Sequence, residues 1–278
     1  MDNNATAMKL IDELCKEKGI EERFLSFGWI RELKKDGKIR HIVRNNFDLN
    51  PSACLDIVND KYATYEVLKA NGVPVLKYHI IFNAKLRDGF DDNIEKKVKE
   101  FFEQYHNKIV MKTNNSSEGK GVFLLENEEE AVSKIKELFG EKESSVNICP
   151  FEEIEHEYRA VYLDGEILCL YKKVKTEGEW KHNLANGAKP VEVTEEDECK
   201  DKVLEIAKKA GQAVNARFVT VDISKAVDGR LFVMEINGSV CMSKFAEQFP
   251  NGYEITKGIY EKAIEKMFQN SLLHFDVK

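Results

Sequence analysis

The stretch VTVDISKAVDGRLFVMEINGS, Val219 to Ser239, constrains this chain most, because apolar and polar residues alternate along it on both sides of a turn. Asp228-Gly229 reads as a two-residue hairpin turn, since both residues tolerate positive φ, and that closure sets Asp222 directly opposite Glu235. Asn237 follows on the same face. The alternate positions, Val219, Val221 and Ile223 with Phe232, Met234 and Ile236, predict an apolar face that needs a core beneath it. Like charges facing each other across a sheet cost up to about 1 kcal/mol unless a cation lies between them. A hard divalent ion such as Mg²⁺ suits that place, taking carboxylate oxygens and an Asn carbonyl as ligands. The plainer alternative is an edge hairpin whose acidic face is solvated.

Other features narrow the partners. A chain of 278 residues, 42% hydrophobic and 33% charged, can build two or three packed subdomains. Its net charge of −7, with no basic block able to track a phosphate backbone, argues against nucleic acid and for small molecules. The six cysteines are scattered with no CxxC pair, which argues against zinc and against a disulfide framework, and so for a cytoplasmic protein. No apolar run approaches the roughly 18 residues of a membrane span, and the N-terminus lacks the regions of a signal peptide.

In chain order, residues 5–18 carry helical spacing and Gly19 stops them. FGWIREL and KIRHIVRNN flank a turn at Lys35-Asp36-Gly37, and Arg31, Arg40, His41 and Arg44 are expected to form a basic patch on a solvated strand face. DKYATYEVLKAN reads as a short helix capped by Asn59 or Asp60, followed by the strand VPVLKYHIIF. Helices are expected over 91–105, 128–139, 195–214 and 252–269, with the 195–214 helix covering the opening hairpin. Pro150 in VNICPF implies a sheet edge or a hinge, because it cannot donate to a central ladder. EHEYRAVYLDGEILCLYKKVK is a strand pair around Asp164-Gly165, and TEGEWKHNLANGAKPVEV reads as a loop.

A second informative stretch is KIVMK, TNNSSEGKG, VFLLE, a strand, a polar loop and a strand. Ser116, Ser117, Gly119 and Gly121 free backbone N–H groups to point at an anion, with Lys112 ending one strand and Lys120 in the turn. Phosphate is the natural guest. No GKS or GKT opens a helix, so this is not a Walker loop, and a flexible hairpin is the alternative.

Together, and in this order, these stretches resemble the ATP-grasp carboxylate–amine ligases, in the branch holding the ribosomal-protein glutamate ligases and the ligase domain of cyanophycin synthetase. The motifs are NDKYATYEVLKANGVPV for the DK helix, IVMKTNNSSEGKGVFLL for the lysine strand and glycine-rich lid, EYRAVYLDGEIL after the hinge, and VDIS with MEINGS for the metal strands. The resemblance implies an α+β ATP-grasp fold, two α+β subdomains clasping nucleotide behind a reduced N-terminal segment, with expected bounds 1–74, 75–148 and 149–278. It implies ATP with Mg²⁺, two ions in the family's usual arrangement, and Mn²⁺ as a substitute. Lys61 and Lys112 would neutralise nucleotide phosphates under a lid that includes Ser117, Gly119, Lys120 and Gly121. The backbone from Cys149 to Phe151 would bind adenine, and Glu153 or Glu157 would contact the ribose. Asp222, Glu235 and Asn237 would hold the metal. Arg159 and Lys181 resemble residues that steer a carboxylate or its acyl-phosphate, with Asn183 beside them.

The implied reaction joins a carboxylate to an amine, an amino acid to an amino acid, a peptide or a carrier-borne amine. A phosphoryl-transferring kinase and a non-catalytic ATP-binding module are the alternatives. This chain departs from the pattern in four places. Gly238-Ser239-Val240-Cys241 stands where relatives have Ser-Pro-Gly, and Lys181 stands where an arginine is usual. Pro150 removes a hinge donor, leaving the Phe151 N–H for adenine. Only 59 residues precede Asp60, where many relatives carry a full α/β domain, so a peptide or carrier protein, or a second copy of the chain, would complete the enclosure.

Overall fold

The computed structural model describes residues 5–86, 93–105, 108–113, 121–141, 143–176, 178, 184 and 187–269. The first helix, α1 (Ala5–Glu17), buries Ala7, Leu10, Ile11, Leu14 and Cys15, the stripe its spacing predicts. An antiparallel sheet follows, β1 (Glu21–Leu25), β2 (Ile30–Lys35), β3 (Lys38–Val43) and β4 (Asn46–Phe47), paired in that order. Lys35 pairs with Lys38, and Asp36 and Gly37 both take positive φ, 50° and 74°, as a two-residue turn requires.

The expected basic patch does not form. Strand alternation turns Arg31 inward, where it is 4% exposed and its Nη1 donates to Asp12 and Glu22, each at 2.6 Å. Arg40 Nε donates to the Met267 carbonyl at 2.6 Å; Arg40 and His41 are half-buried, and of the four only Arg44 is exposed.

Helix α2 (Ser52–Asn59) leads into α3 (Lys61–Ala70), whose cap is Asp60, accepting from the Ala63 N–H at 2.8 Å. A second antiparallel sheet contains β5 (His79–Phe82), β6 (Ile109–Thr113), β7 (Val122–Leu125) and β8 (Ser145–Pro150), in the order β5-β8-β6-β7. The strand expected from Val73 onward is short for this reason: only its end joins the sheet. Helices α4 (Ile94–Tyr105) and α5 (Glu128–Gly140) cover one face, packing Val98, Phe101 and Ile135 on Ile109, Met111, Val146 and Ile148. Residues between these, Val110 and Lys112, point to the opposite face. Strand β8 is interior, which corrects the edge expectation; Pro150 is tolerated because it is the last residue of the strand.

The third sheet runs β11-β10-β9-β12-β13, built from β9 (Ile154–Leu163), β10 (Glu166–Val174), β11 (Lys189–Glu192), β12 (Phe218–Ala226) and β13 (Leu231–Asn237). Part of the expected loop is therefore strand, since residues 189–192 pair with β10. Helix α6 (Lys200–Ala213) packs on one face with α2 and α3 over Val219, Val221, Ile223, Val233 and Ile236. It begins five residues later than expected because Asp197 ends a turn there by accepting from the Cys199 N–H at 3.0 Å. On the other face, α1, α7 (Ser243–Gln248) and α8 (Gly252–Gln269) cover the end near Val161, Tyr171 and Phe218. The remainder of that face looks toward the second sheet. No described helix is long and apolar enough to cross a membrane.

Candidate active site

The hairpin of β12 and β13 brings Asp222 opposite Glu235, as expected, but by another route. The turn is not Asp228-Gly229 alone. The Ala226 N–H donates to the Arg230 carbonyl at 2.9 Å, enclosing the three residues 227–229, and Gly229 takes φ +87°. That loop shifts the pairing by one residue, so Ile223 faces Val233 and Ser224 faces Phe232. A bulge between Asp222 and Ile223 then restores the register, and Asp222 meets Glu235 after all. The apolar face is corrected accordingly. Val233 joins Val219, Val221, Ile223 and Ile236, while Phe232 and Met234 pack on the cleft side.

At the bulge the chain adds a short parallel contact. Leu76 N–H donates to Val233 O and Val233 N–H to Pro74 O, both at 2.9 Å. Residues beyond Leu76 pass directly into the second sheet.

The cleft face of the third sheet carries a row of charge. Arg159, opposite Asp222 on the neighbouring strand, grips it with Nε–Oδ1 and Nη2–Oδ2 bonds of 2.6 Å each. Lys173 Nζ reaches Asp222 Oδ2 at 3.1 Å and also pairs with Glu157. Asp222 and Lys173 are both almost fully buried. Burial works against the Asp222 charge, yet Arg159 and Lys173 outweigh it and hold its pKa down at about 2. The protein thus supplies its own cations to Asp222.

Glu235 lies at the other end of the row. Asn237 Nδ2 donates to Glu235 Oε1 at 3.1 Å. Lys61, at the start of α3, and Lys112, on β6, both feel the Glu235 charge. Burial lowers the Lys61 pKa; Glu235 resists this and the Lys112 charge adds to it. Lys112 is 8% exposed, and its Nζ donates to the Tyr78 hydroxyl at 2.7 Å. Burial opposes its charge too, but Tyr78, Cys149 and Glu235 leave its pKa raised.

Beside this row an apolar seam joins the two sheets, formed by Tyr65, Leu76, Tyr78, Val110, Cys149, Ala226 and Phe232, with Phe151 and Met234 at its border. Cys149 is buried there, and burial pushes its thiol up to about 11. The Phe151 N–H is not available for a ligand: it donates to the Lys108 carbonyl at 2.9 Å, because Pro150 is still paired with Ile109 and the ladder continues one residue on. Glu153 is exposed ahead of β9, whereas Glu157 stands on the cleft face with Arg159. Ser117, Gly119, Lys120, Lys181 and Asn183 lie outside the described residues. Gly121 is described, with φ +63°, and its carbonyl accepts from the Thr113 N–H at 3.1 Å.

As a metal site the donor set fits a hard cation in part. Glu235 and Asn237 offer oxygens side by side, and Asp222 Oδ1 keeps a lone pair beyond its bond to Arg159, whereas Oδ2 spends both on Arg159 and Lys173. Among the described residues no three His, Cys, Asp or Glu side chains converge as a metal cluster. The sequence reading did not single out Lys173, Tyr78 or Ser224. Lys173 could have been found, because it lies two residues from Tyr171 on a strand whose partner carries Glu157 and Arg159.

The RimK-like ATP-grasp domain model matches residues 58–261. The chain belongs to this family. It is 28% identical to the protein MG011 of Mycoplasma genitalium, over 95% of this chain and 88% of that protein. It is 27% identical to a probable alpha-L-glutamate ligase of Haemophilus influenzae, over 70% of this chain but only 60% of that ligase. The fold is also that of D-alanyl-alanine synthetase A from Vibrio cholerae, with a TM-score of 0.68 at 13% identity over 97% of this chain and 95% of that one. The α+β ATP-grasp fold expected from the motifs is the one found.

Proposed function

We propose that this ATP-grasp ligase joins a carboxylate to an amine through an acyl-phosphate, with release of ADP and phosphate. The observation that carries the reading is the charge row itself: Arg159, Asp222 and Lys173 next to Glu235 and Asn237, with Lys61 and Lys112 near Glu235 and an apolar seam alongside. A carboxylate repels nucleophiles until it is phosphorylated, and phosphoryl transfer is catalysed mainly by positioning and by charge stabilisation. Lys61 and Lys112 supply that charge for the phosphates. Tyr78 fixes Lys112 by accepting its proton-bearing end. The seam takes the adenine, and Glu157 contacts the ribose in preference to Glu153, because it stands on the cleft face.

Glu235, Asn237 and Asp222 would hold Mg²⁺, which when bound draws charge from the phosphate oxygens. Arg159 orients the substrate carboxylate, and Lys181 and Asn183 are proposed to assist it. Residues 75–148 form the half that closes over the nucleotide and excludes water. The glutamate-ligase relative makes L-glutamate the first amino acid to try.

The test is ADP release with a panel of amino acids and peptides, followed by mass spectrometry of any product. An amide product supports the ligase. ADP release that needs no amine, with a stable phosphorylated product, would mark a kinase. Unchanged activity in Glu235→Ala would remove the metal assignment.

A further inference from the structure

Ser224 lies on β12 two residues beyond Asp222, and its hydroxyl is buried with no hydrogen-bond partner among the described residues. Buried hydroxyls are almost always paired, so an orphan calls for a reason. Thr256 is a second such orphan, but it sits on α8, away from the charge row. Ser224 is placed differently. It pairs across the sheet with Glu157 on one side and Phe232 on the other.

Alternation puts Asp222, Ser224 and Ala226 on one face of β12, about 6.6 Å apart in steps of two residues. These three levels differ in chemistry. Asp222 belongs to the charge row, while Ala226 and Phe232 belong to the apolar seam. Ser224 and Glu157 stand between them. A nucleotide has the same order: an apolar base, then a sugar with hydroxyl groups, then charged phosphates. Only the sugar offers a neutral group that can both donate to Glu157 and accept from Ser224.

We propose that the Ser224 hydroxyl is a ribose-binding group that acts beside Glu157. This rests on the nucleotide reading of the cleft and assigns a residue that the family motifs do not mark. The unpaired hydroxyl is a cost borne by the free protein and relieved when the sugar arrives.

Two substitutions and two nucleotide analogues test it. Binding of ADP, 2′-deoxy-ADP and 3′-deoxy-ADP is measured by calorimetry on the full chain and on Ser224→Ala. The expected result is that one deoxy analogue binds the parent protein more weakly than ADP, by roughly tenfold or more, because its missing hydroxyl forfeits the bonds to both Glu157 and Ser224. Ser224→Ala should lose roughly five- to tenfold for ADP, the size of one neutral hydrogen bond, and should discriminate against that analogue by the same factor less than the parent, the remainder being due to Glu157. Its melting temperature without nucleotide should be equal to the parent's or higher, since an unpaired group has been removed. Ser224→Cys, which keeps the volume, gives the same reading if the alanine variant does not fold. If the parent binds ADP while the variants bind it equally well, or discriminate against the deoxy analogue as strongly as the parent does, Ser224 is not a ribose contact and the nucleotide cleft stands without it. If the parent binds none of the three, the cleft reading and this inference fall together.

Discussion

Arg159 and Asp222 face each other across adjacent strands and share two parallel bonds of 2.6 Å inside the protein. Breaking such a buried pair from one side leaves a charge without a partner, which typically costs about 3–5 kcal/mol. Asp222→Asn is therefore expected to destabilise the free protein by about that much, measured by urea unfolding. The double variant Arg159→Met/Asp222→Asn should be more stable than Asp222→Asn alone, because Lys173 keeps Glu157. Additive losses in the two changes would mean the pair is not a unit.

The same pair predicts acid behaviour. The Asp222 pKa is about 2 in the folded protein, below the ordinary carboxylate value of about 4, so the unfolded chain takes up the proton first as pH falls. Its contribution, about 2 kcal/mol, is fully present above pH ~4 and is lost as pH drops to ~2. Urea unfolding from acid to neutral pH should show this fall in the parent, and Asp222→Asn should lack that portion of it.

Tyr78 and Lys112 form the next testable contact, at 2.7 Å. Tyr78→Phe removes the acceptor and frees the lysine to wander. The expected effect is a several-fold weaker affinity for ADP, on the order of 1 kcal/mol, with little change in fold. Lys112→Met should lose far more, at least tenfold in turnover. Equal effects from both would show that Tyr78 does more than position the lysine.

Packing on the far side of the third sheet can be tested at Gly211 of α6. A Cβ there would lie 2.7–2.8 Å from the ring of Tyr162. Gly211→Ala should cost about 1–3 kcal/mol by overpacking, although alanine is the better helix former. Thermal melting checks the sign, and a gain in stability would mean the ring moves freely.

The sequence was most legible where periodicity and turn chemistry agree. Helix α1 ends where its spacing does, and the Asp36-Gly37 and Asp164-Gly165 turns sit where the positive φ values fall. Four motifs in order were enough to indicate the family. The misread parts depend on tertiary context. Nothing local to Arg31 says that its strand face is the inner one or that Asp12 and Glu22 wait there. Nor could a two-residue turn be told from a three-residue loop when a later bulge cancels the shift. Asp222 and Glu235 came out opposed because two register changes offset each other, while Phe232 and Met234, which lie between those changes, went to the other face. Lys173 and Ser224 escaped notice because each is defined by what neighbouring strands place beside it.

The short contact of residues 74–76 with Val233 has a mechanical consequence. Besides the apolar seam, the described chain passes between the second and third sheets at two crossings, one through Pro74–Leu76 and one through Phe151–Glu153. Two crossings fix a line between the sheets: sliding or swivelling would strain both, whereas rocking about that line strains them least. One end of that line is the bulge of β13, within two residues of Glu235, so the strand that carries this carboxylate also takes up any strain between the two sheets.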